Sequence, residues 1–167
     1  MLNSNTLQVM FFEGLSSEAA VELDAILEEC RFLAGEVILH QNQAAEHLFI
    51  IAEGEVVVRH VPYDGHSISI GKLSSGGIFG WSAILGRDVY SSTVVVLRDC
   101  VVYRISSNDL QRFCDHHHES GVVLLEKMAM SAVKAPTEIH EQVKQMIRRT
   151  MDCREEKPKR SDHDGKQ

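Results

Sequence analysis

The chain has 167 residues, a net charge of −7, 44% hydrophobic and 25% charged residues. That length fits one domain with small appendages, and the acidic balance argues against a general nucleic-acid-binding surface. Cys30, Cys100, Cys114 and Cys153 lie far apart with no C-x-x-C pair, which reads as reduced thiols in a cytoplasmic protein and not as a zinc site. No apolar run approaches the ~18 residues of a membrane helix, and the N-terminus lacks the charged-then-apolar pattern of an export signal.

In chain order, residues 1–10 are expected to be loosely held, and Phe11 and Phe12 supply apolar anchors. Ser16 and Ser17, with Glu18 in the first turn, predict a helix start. Leu15, Ala19, Leu23, Ile26 and Leu27 then share a face, so the helix is expected over 17–29. From Arg31 the period shortens. Phe32-Leu33, Val37–Leu39, Leu48–Ile51, Glu55–His60, Ser67–Gly71, Thr93–Leu97 and Cys100–Ile105 read as strands. Turn signals stand between them at Ala34–Glu36, Glu53-Gly54, Tyr63–His66 and Arg98-Asp99, with Asp64-Gly65 as a tight hairpin. Seven or eight short strands at this spacing predict a mainly β fold with flanking helices, a closed antiparallel roll or jelly roll.

The helical period returns after Ile105. Ser106–Asp109 offers a cap ahead of Leu110, Phe113 and Cys114. Over 119–134 an apolar stripe of Val122, Leu125, Met128, Ala129, Ala132 and Val133 predicts a helix that either packs on the roll or meets a second copy of itself. Pro136 interrupts it. Ile139, Val143, Met146, Ile147 and Met151 mark a further amphipathic helix within 135–153, and 154–167 is expected to be disordered. The main domain is thus expected over 11–134.

One stretch stands out chemically. Gly76, Gly77 and Gly80 crowd ahead of Trp81-Ser82-Ala83, and Tyr90-Ser91-Ser92 follows. Glycine permits positive φ and close approach of a ligand to the backbone. A glycine turn feeding a short helix presents unpaired N–H groups suited to an anion. The expected donors are the amides from Gly80 to Ala83, together with Ser82, Ser91 and Ser92. In the bland alternative, Trp81 fills the space and closes the site.

The matches Gly35–Ile38, His47–Val58 and Gly77-Ile78-Phe79-Gly80 resemble the cyclic-nucleotide-binding domain family, which includes the catabolite activator and regulatory domains of kinases and ion channels. The resemblance covers roughly residues 10–134. It implies a ligand cassette in which a Glu after Phe-Gly holds the ribose 2′-hydroxyl and an Arg pairs with the cyclic phosphate. Here Trp81 stands at the Glu position and Tyr90, nine residues later, at the Arg position. Trp offers no acceptor, and Tyr supplies no cationic fork. Losing a charge-assisted contact costs about 1.5–3 kcal/mol, so tight binding of cAMP or cGMP is not expected. Arg87 lies in the same loop as a substitute cation, and Trp81→Glu with Tyr90→Arg is expected to move binding toward the family pattern. Family transcription factors carry a helix-turn-helix beyond the long helix. The 31 residues after Pro136 are too few for one, which implies a stand-alone sensory domain without direct nucleic-acid contact.

Two other chemistries have partial signals in the sequence. Asp115-His116-His117-His118-Glu119 suggests a metal, but neighbouring histidines on a helix diverge, and solvated residues at a helix junction are the plainer reading. A metal-dependent cupin enzyme would need His-x-His with further ligands. His40, Gln41, Asn42 and Glu46 lack the second histidine, and His60 and His66 lack the setting. Ser74, Ser75, Ser91 and Ser92 have no marked histidine partner for nucleophilic catalysis.

The sequence therefore predicts a non-enzymatic regulatory domain without cofactor or metal. Its cassette is Phe79, Gly80, Trp81, Ser82, Ala83, Arg87, Tyr90, Ser91 and Ser92, with altered or lost cyclic-nucleotide affinity. A small anionic ligand, a protein partner and a homodimer through Leu125, Met128, Ala129 and Ala132 are the expected associations, with no membrane. A transcription regulator working through a partner is the alternative.

Overall fold

Two long strands carry the architecture of this computed structural model, which describes residues 11–62 and 65–132. They are β3 (His47–His60) and β6 (Thr93–Ser106), paired antiparallel along most of their length. Around them lie β1 (Glu28–Phe32), β2 (Val37–Leu39), β4 (Ile68–Ser74) and β5 (Ile78–Phe79). The hydrogen-bonded path runs β1-β6-β3-β4, with β2 on β6 and β5 on β3, and every pairing is antiparallel. Among the described residues, the helices α1 (Ser17–Ile26), α2 (Ser107–His116) and α3 (His118–Ala132) flank this roll.

The apolar runs of β3 and β6 feed two clusters because successive side chains point to opposite faces. Leu48, Ile50 and Ala52 meet Tyr103 and Ile105 under the helices, where Leu23, Phe113, Leu124 and Met128 close the layer. Phe49, Ile51 and Val56 turn the other way and meet Val94, Val96 and Val102 inside the roll. Phe49 stacks on Phe79 with ring centroids 5.0 Å apart.

Four expected features come out differently. Glu53-Gly54 and Arg98-Asp99 are not turns; they lie within continuous strands, where the register of β3 on β6 shifts repeatedly. Gly54 has φ +104°, and a Cβ there would stand 2.4 Å from the Asp99 carbonyl oxygen, so the glycine serves a bulge where the two backbones touch. Hence six strands replace the expected seven or eight, and the short β5 lies inside the stretch read as a glycine turn. The first helix stops at Ile26, short of the expected 29, because Glu28–Phe32 pairs with β6 and Glu28 takes a two-pronged ion pair from Arg104. That guanidinium holds the Glu28 carboxyl below its ordinary range.

The last correction concerns the apolar stripe. The helix expected over 119–134 is α3, but its inward face centres on Leu124 and Met128. Met128, assigned to a dimer seam, is 2% exposed within its own chain, while Leu125 and Ala129 are half-buried at the edge of that cluster. Val122 stays exposed, as does Met130. Gly121 allows the close approach: a Cβ there would lie 3.0 Å from Cys114 Cα. Of Ala132 only its place at the end of α3 is described, and Val133 and all later residues, including the helix expected over 135–153 and the tail 154–167, lie outside the described residues. So do residues 1–10 and the Tyr63-Asp64 part of the expected hairpin.

The caps are as expected. Ser16 Oγ accepts from Ala19 N–H at 3.2 Å, and Ser106 Oγ accepts from Asp109 N–H at 3.1 Å. Cys30, Cys100 and Cys114 are free thiols, and burial pushes that of Cys114 up to about 11.

Candidate functional site: a cavity inside the roll

The glycine-rich stretch, the loop after it and the β4 wall enclose a cavity of about 400 Å³. This lies in the ordinary range of small-molecule sites, ~300–1,000 Å³. Phe79, Gly80, Trp81, Ser82, Arg87, Tyr90, Ser91 and Ser92 all border it, so eight of the nine predicted cassette residues converge. Ala83 does not; it borders a groove on the helix side with Ile84 and Cys114.

Gly80 shapes the entrance. It has φ +81°, and a Cβ would come within 2.8 Å of the His47 carbonyl oxygen. The helix that follows is a single 3₁₀ turn, Trp81–Ala83. Of the four amides expected to serve as anion donors, Gly80 to Ala83, that of Ala83 is committed elsewhere. It donates to the Gly80 carbonyl, while Ile84 and Leu85 donate to that of Trp81, and Arg87 to that of Ser82.

Tyr90 is a strut. Its hydroxyl donates to the His47 carbonyl at 2.6 Å and accepts from the His47 amide at 3.0 Å. Its own backbone exchanges bonds with Asn42 and Gln43. The residue is 4% exposed, and burial pushes the phenol above its ordinary range, so it stays protonated and able to donate. Tyr90 thereby ties the loop to the start of β3, and its polar tip is spent.

Trp81 does not fill the cavity. It forms a wall between the two clusters: it borders the cavity, packs with the helix-side layer, and donates Nε1–H to the Ile78 carbonyl at 3.1 Å. The paired change Trp81→Glu with Tyr90→Arg would therefore place a carboxylate against an apolar layer and remove the strut, so it is not a neutral restoration of the pocket.

Arg87, exposed at the cavity margin, has no ion-pair partner among the described residues. Lys72 also borders the cavity, but it follows the alternation of β4, in which its neighbour Leu73 packs inward. Sequence reasoning missed the apolar wall: Leu39, Val58, Leu73, Leu85 and Val94 border the cavity from five separate segments. The inward period of β3 was the available signal for Val58. Nothing local marked Leu39.

The histidine run meets a carboxylate. His117 Nε2 stands 2.5 Å from Glu22 Oε2, and His116 Nδ1 3.4 Å from Glu22 Oε1, joining α2 to α1. The His117 hydrogen bond, the strongest influence, holds the Glu22 carboxyl below its ordinary value. His60 Nδ1 lies 2.9 Å from the Ser91 carbonyl oxygen. Among the described residues, no group of three or more His, Cys, Asp or Glu is placed to hold a metal, and no helix is long and apolar enough to cross a membrane.

The fold is an antiparallel β-roll with helices on one side and a cavity, bordered by Gly80, within it. The sequence profile of the Cyclic nucleotide-binding domain family matches residues 29–117, and the chain belongs to that family. A cAMP-dependent protein kinase regulatory subunit from Mycosarcoma maydis is 33% identical over 88 residues, covering 53% of this chain and 17% of that protein. The chain thus spans less than a fifth of the curated relatives it matches first. Among solved structures, one described as cyclic nucleotide-binding, from Geobacter metallireducens GS-15, superposes with TM-score 0.66 at 25% identity, covering 80% of this chain and 97% of that one. The Thermus thermophilus catabolite activator protein superposes with TM-score 0.63 at 19% identity, covering 78% and 61%.

Proposed function

We propose that this chain is a non-enzymatic regulatory domain that senses a small ligand in the roll cavity and has reduced or lost affinity for cAMP and cGMP. The observation that carries the reading is the Tyr90 hydroxyl, bonded both ways to His47 at the position where the family places its phosphate-binding Arg. A cyclic phosphate in that corner would meet a phenol already committed to backbone. Trp81 denies the ribose an acidic acceptor at the second position. The test is the melting temperature with cAMP or cGMP at about 1 mM. A ligand at 100 times its Kd stabilises by about 2.7 kcal/mol, several degrees for a domain of this size. The reading predicts a negligible shift; a shift of several degrees overturns it.

The output runs through a second copy of the chain or a protein partner. Val122 and Met130, 37% and 73% exposed on α3, support an outward contact that leaves Met128 in the core. A homodimer through this face should dissociate in sedimentation velocity when Val122 and Met130 are both changed to Glu, with the melting curve of the monomer retained. Sedimentation of the wild type as a monomer removes the homodimer and leaves the partner protein.

A further inference from the structure

The cavity wall has an unusual division of chemistry. Its apolar side chains come from β2, β3, β4, β6 and the segment after the 3₁₀ turn. Its hydroxyls are those of Ser82, Ser91 and Ser92, since that of Tyr90 is spent. No Asp or Glu is among the described residues that border it, although the chain carries 24 acidic residues against 17 basic ones. Two cations border it: Lys72 on β4, beside the inward Leu73, and Arg87 on the cassette loop, which has no ion-pair partner among the described residues and whose amide is held by the Ser82 carbonyl.

From this division we infer that the cavity takes an amphipathic organic acid: an apolar body lying against Val58, Leu73, Leu85 and Val94, with one carboxylate or phosphate head held by Arg87 and the serine hydroxyls. The inference rests on the sensory reading above and names the ligand class for that same cavity. An apolar body suits the wall because burying it removes hydrocarbon from water at no polar cost. A cyclic nucleotide does not, because its ribose 2′-hydroxyl would enter a space without a carboxylate acceptor. The head group suits Arg87, whose fork pairs two-pronged with either a carboxylate or a phosphate.

Trp81 makes the test direct. It is the chain's one tryptophan, and it borders the cavity, so its emission reports occupancy. The full chain is titrated below micelle-forming concentrations with decanoate, decyl phosphate and decanol, which share an apolar body and differ in the head. Either acid should produce a saturable change in Trp81 emission with affinity tenfold or more above that of decanol, and the better of the two identifies the head group. Arg87→Gln should lower the affinity for the acids about tenfold and leave decanol unchanged; Arg87→Lys should recover part of the loss. Arg87 is exposed, and circular dichroism checks that the variants keep the fold. Equal affinity for acid and alcohol, no saturable change with either acid, or acid binding indifferent to Arg87→Gln overturns the inference while the sensory reading stands. Micromolar binding of cAMP in the same assay overturns the sensory reading itself.

Discussion

The two apolar clusters are built from the same strands and differ in what they leave empty. Under the helices, the layer around Leu48, Phe113, Leu124 and Met128 encloses a void of about 20 Å³, no more than a water could occupy. Inside the roll, the layer around Phe49, Val94 and Tyr90 opens into about 400 Å³. One face of the sheet is closely packed and the other leaves open space. Trp81 belongs to both, closing the first and walling the second.

The contrast can be broken most severely on the filled side. Phe113 is fully buried, and Phe113→Ala should destabilise the chain by about 3–5 kcal/mol in denaturant unfolding, since the surrounding layer has no slack. Leu73→Ala at the cavity wall should cost about 1 kcal/mol, because that side chain is only half-buried and already faces open space. Similar losses for the two would mean that the roll interior is as tightly packed as the helix side.

Tyr90→Phe sharpens the same contrast from inside the roll. Removing the hydroxyl leaves the His47 amide and carbonyl without that partner. The expected loss is about 1–3 kcal/mol, read from the denaturant midpoint. An unchanged midpoint would mean that the hydroxyl faces the cavity and is available to a ligand.

The smallest effect lies at the α1–α2 junction. The Glu22 carboxyl is held below its ordinary value of 4.5 chiefly by its hydrogen bond to His117. A depressed carboxylate contributes stability that is present above its unfolded value and lost as pH falls through the lower folded one. Wild type should therefore lose stability in that acid range, below about pH 4.5. Glu22→Gln should flatten this part of the pH profile and leave the slope above pH 7 unchanged. Parallel wild-type and variant profiles would remove the latch.

Much of this was legible from residue pattern. The caps at Ser16 and Ser106 and the inward period of β3 and β6 follow from short-range spacing, and the convergence of Gly80 with Tyr90 through Ser92 from the family resemblance. What escaped depended on distant partners. Gly54 gives the same signal whether it ends a strand or lets Asp99 approach it. The substitution at position 90 showed that a cationic fork was missing, but the use of the phenol depends on His47, far back in the chain. The face α3 buries is fixed by Gly121 against Cys114, which draws Leu124 and Met128 inward and leaves the predicted stripe at the margin.

The central claim is that the roll keeps an open cavity while the phosphate corner has become a structural joint. Calorimetric titration of cAMP into the wild-type chain tests it most directly. A Kd of 1 μM corresponds to about −8.2 kcal/mol and gives an unmistakable saturable heat. The account predicts no saturable binding up to about 100 μM cAMP, a level at which such a site would be nearly full. A saturable titration with micromolar Kd would contradict it, and would show that the roll holds the cyclic phosphate without the Arg at position 90.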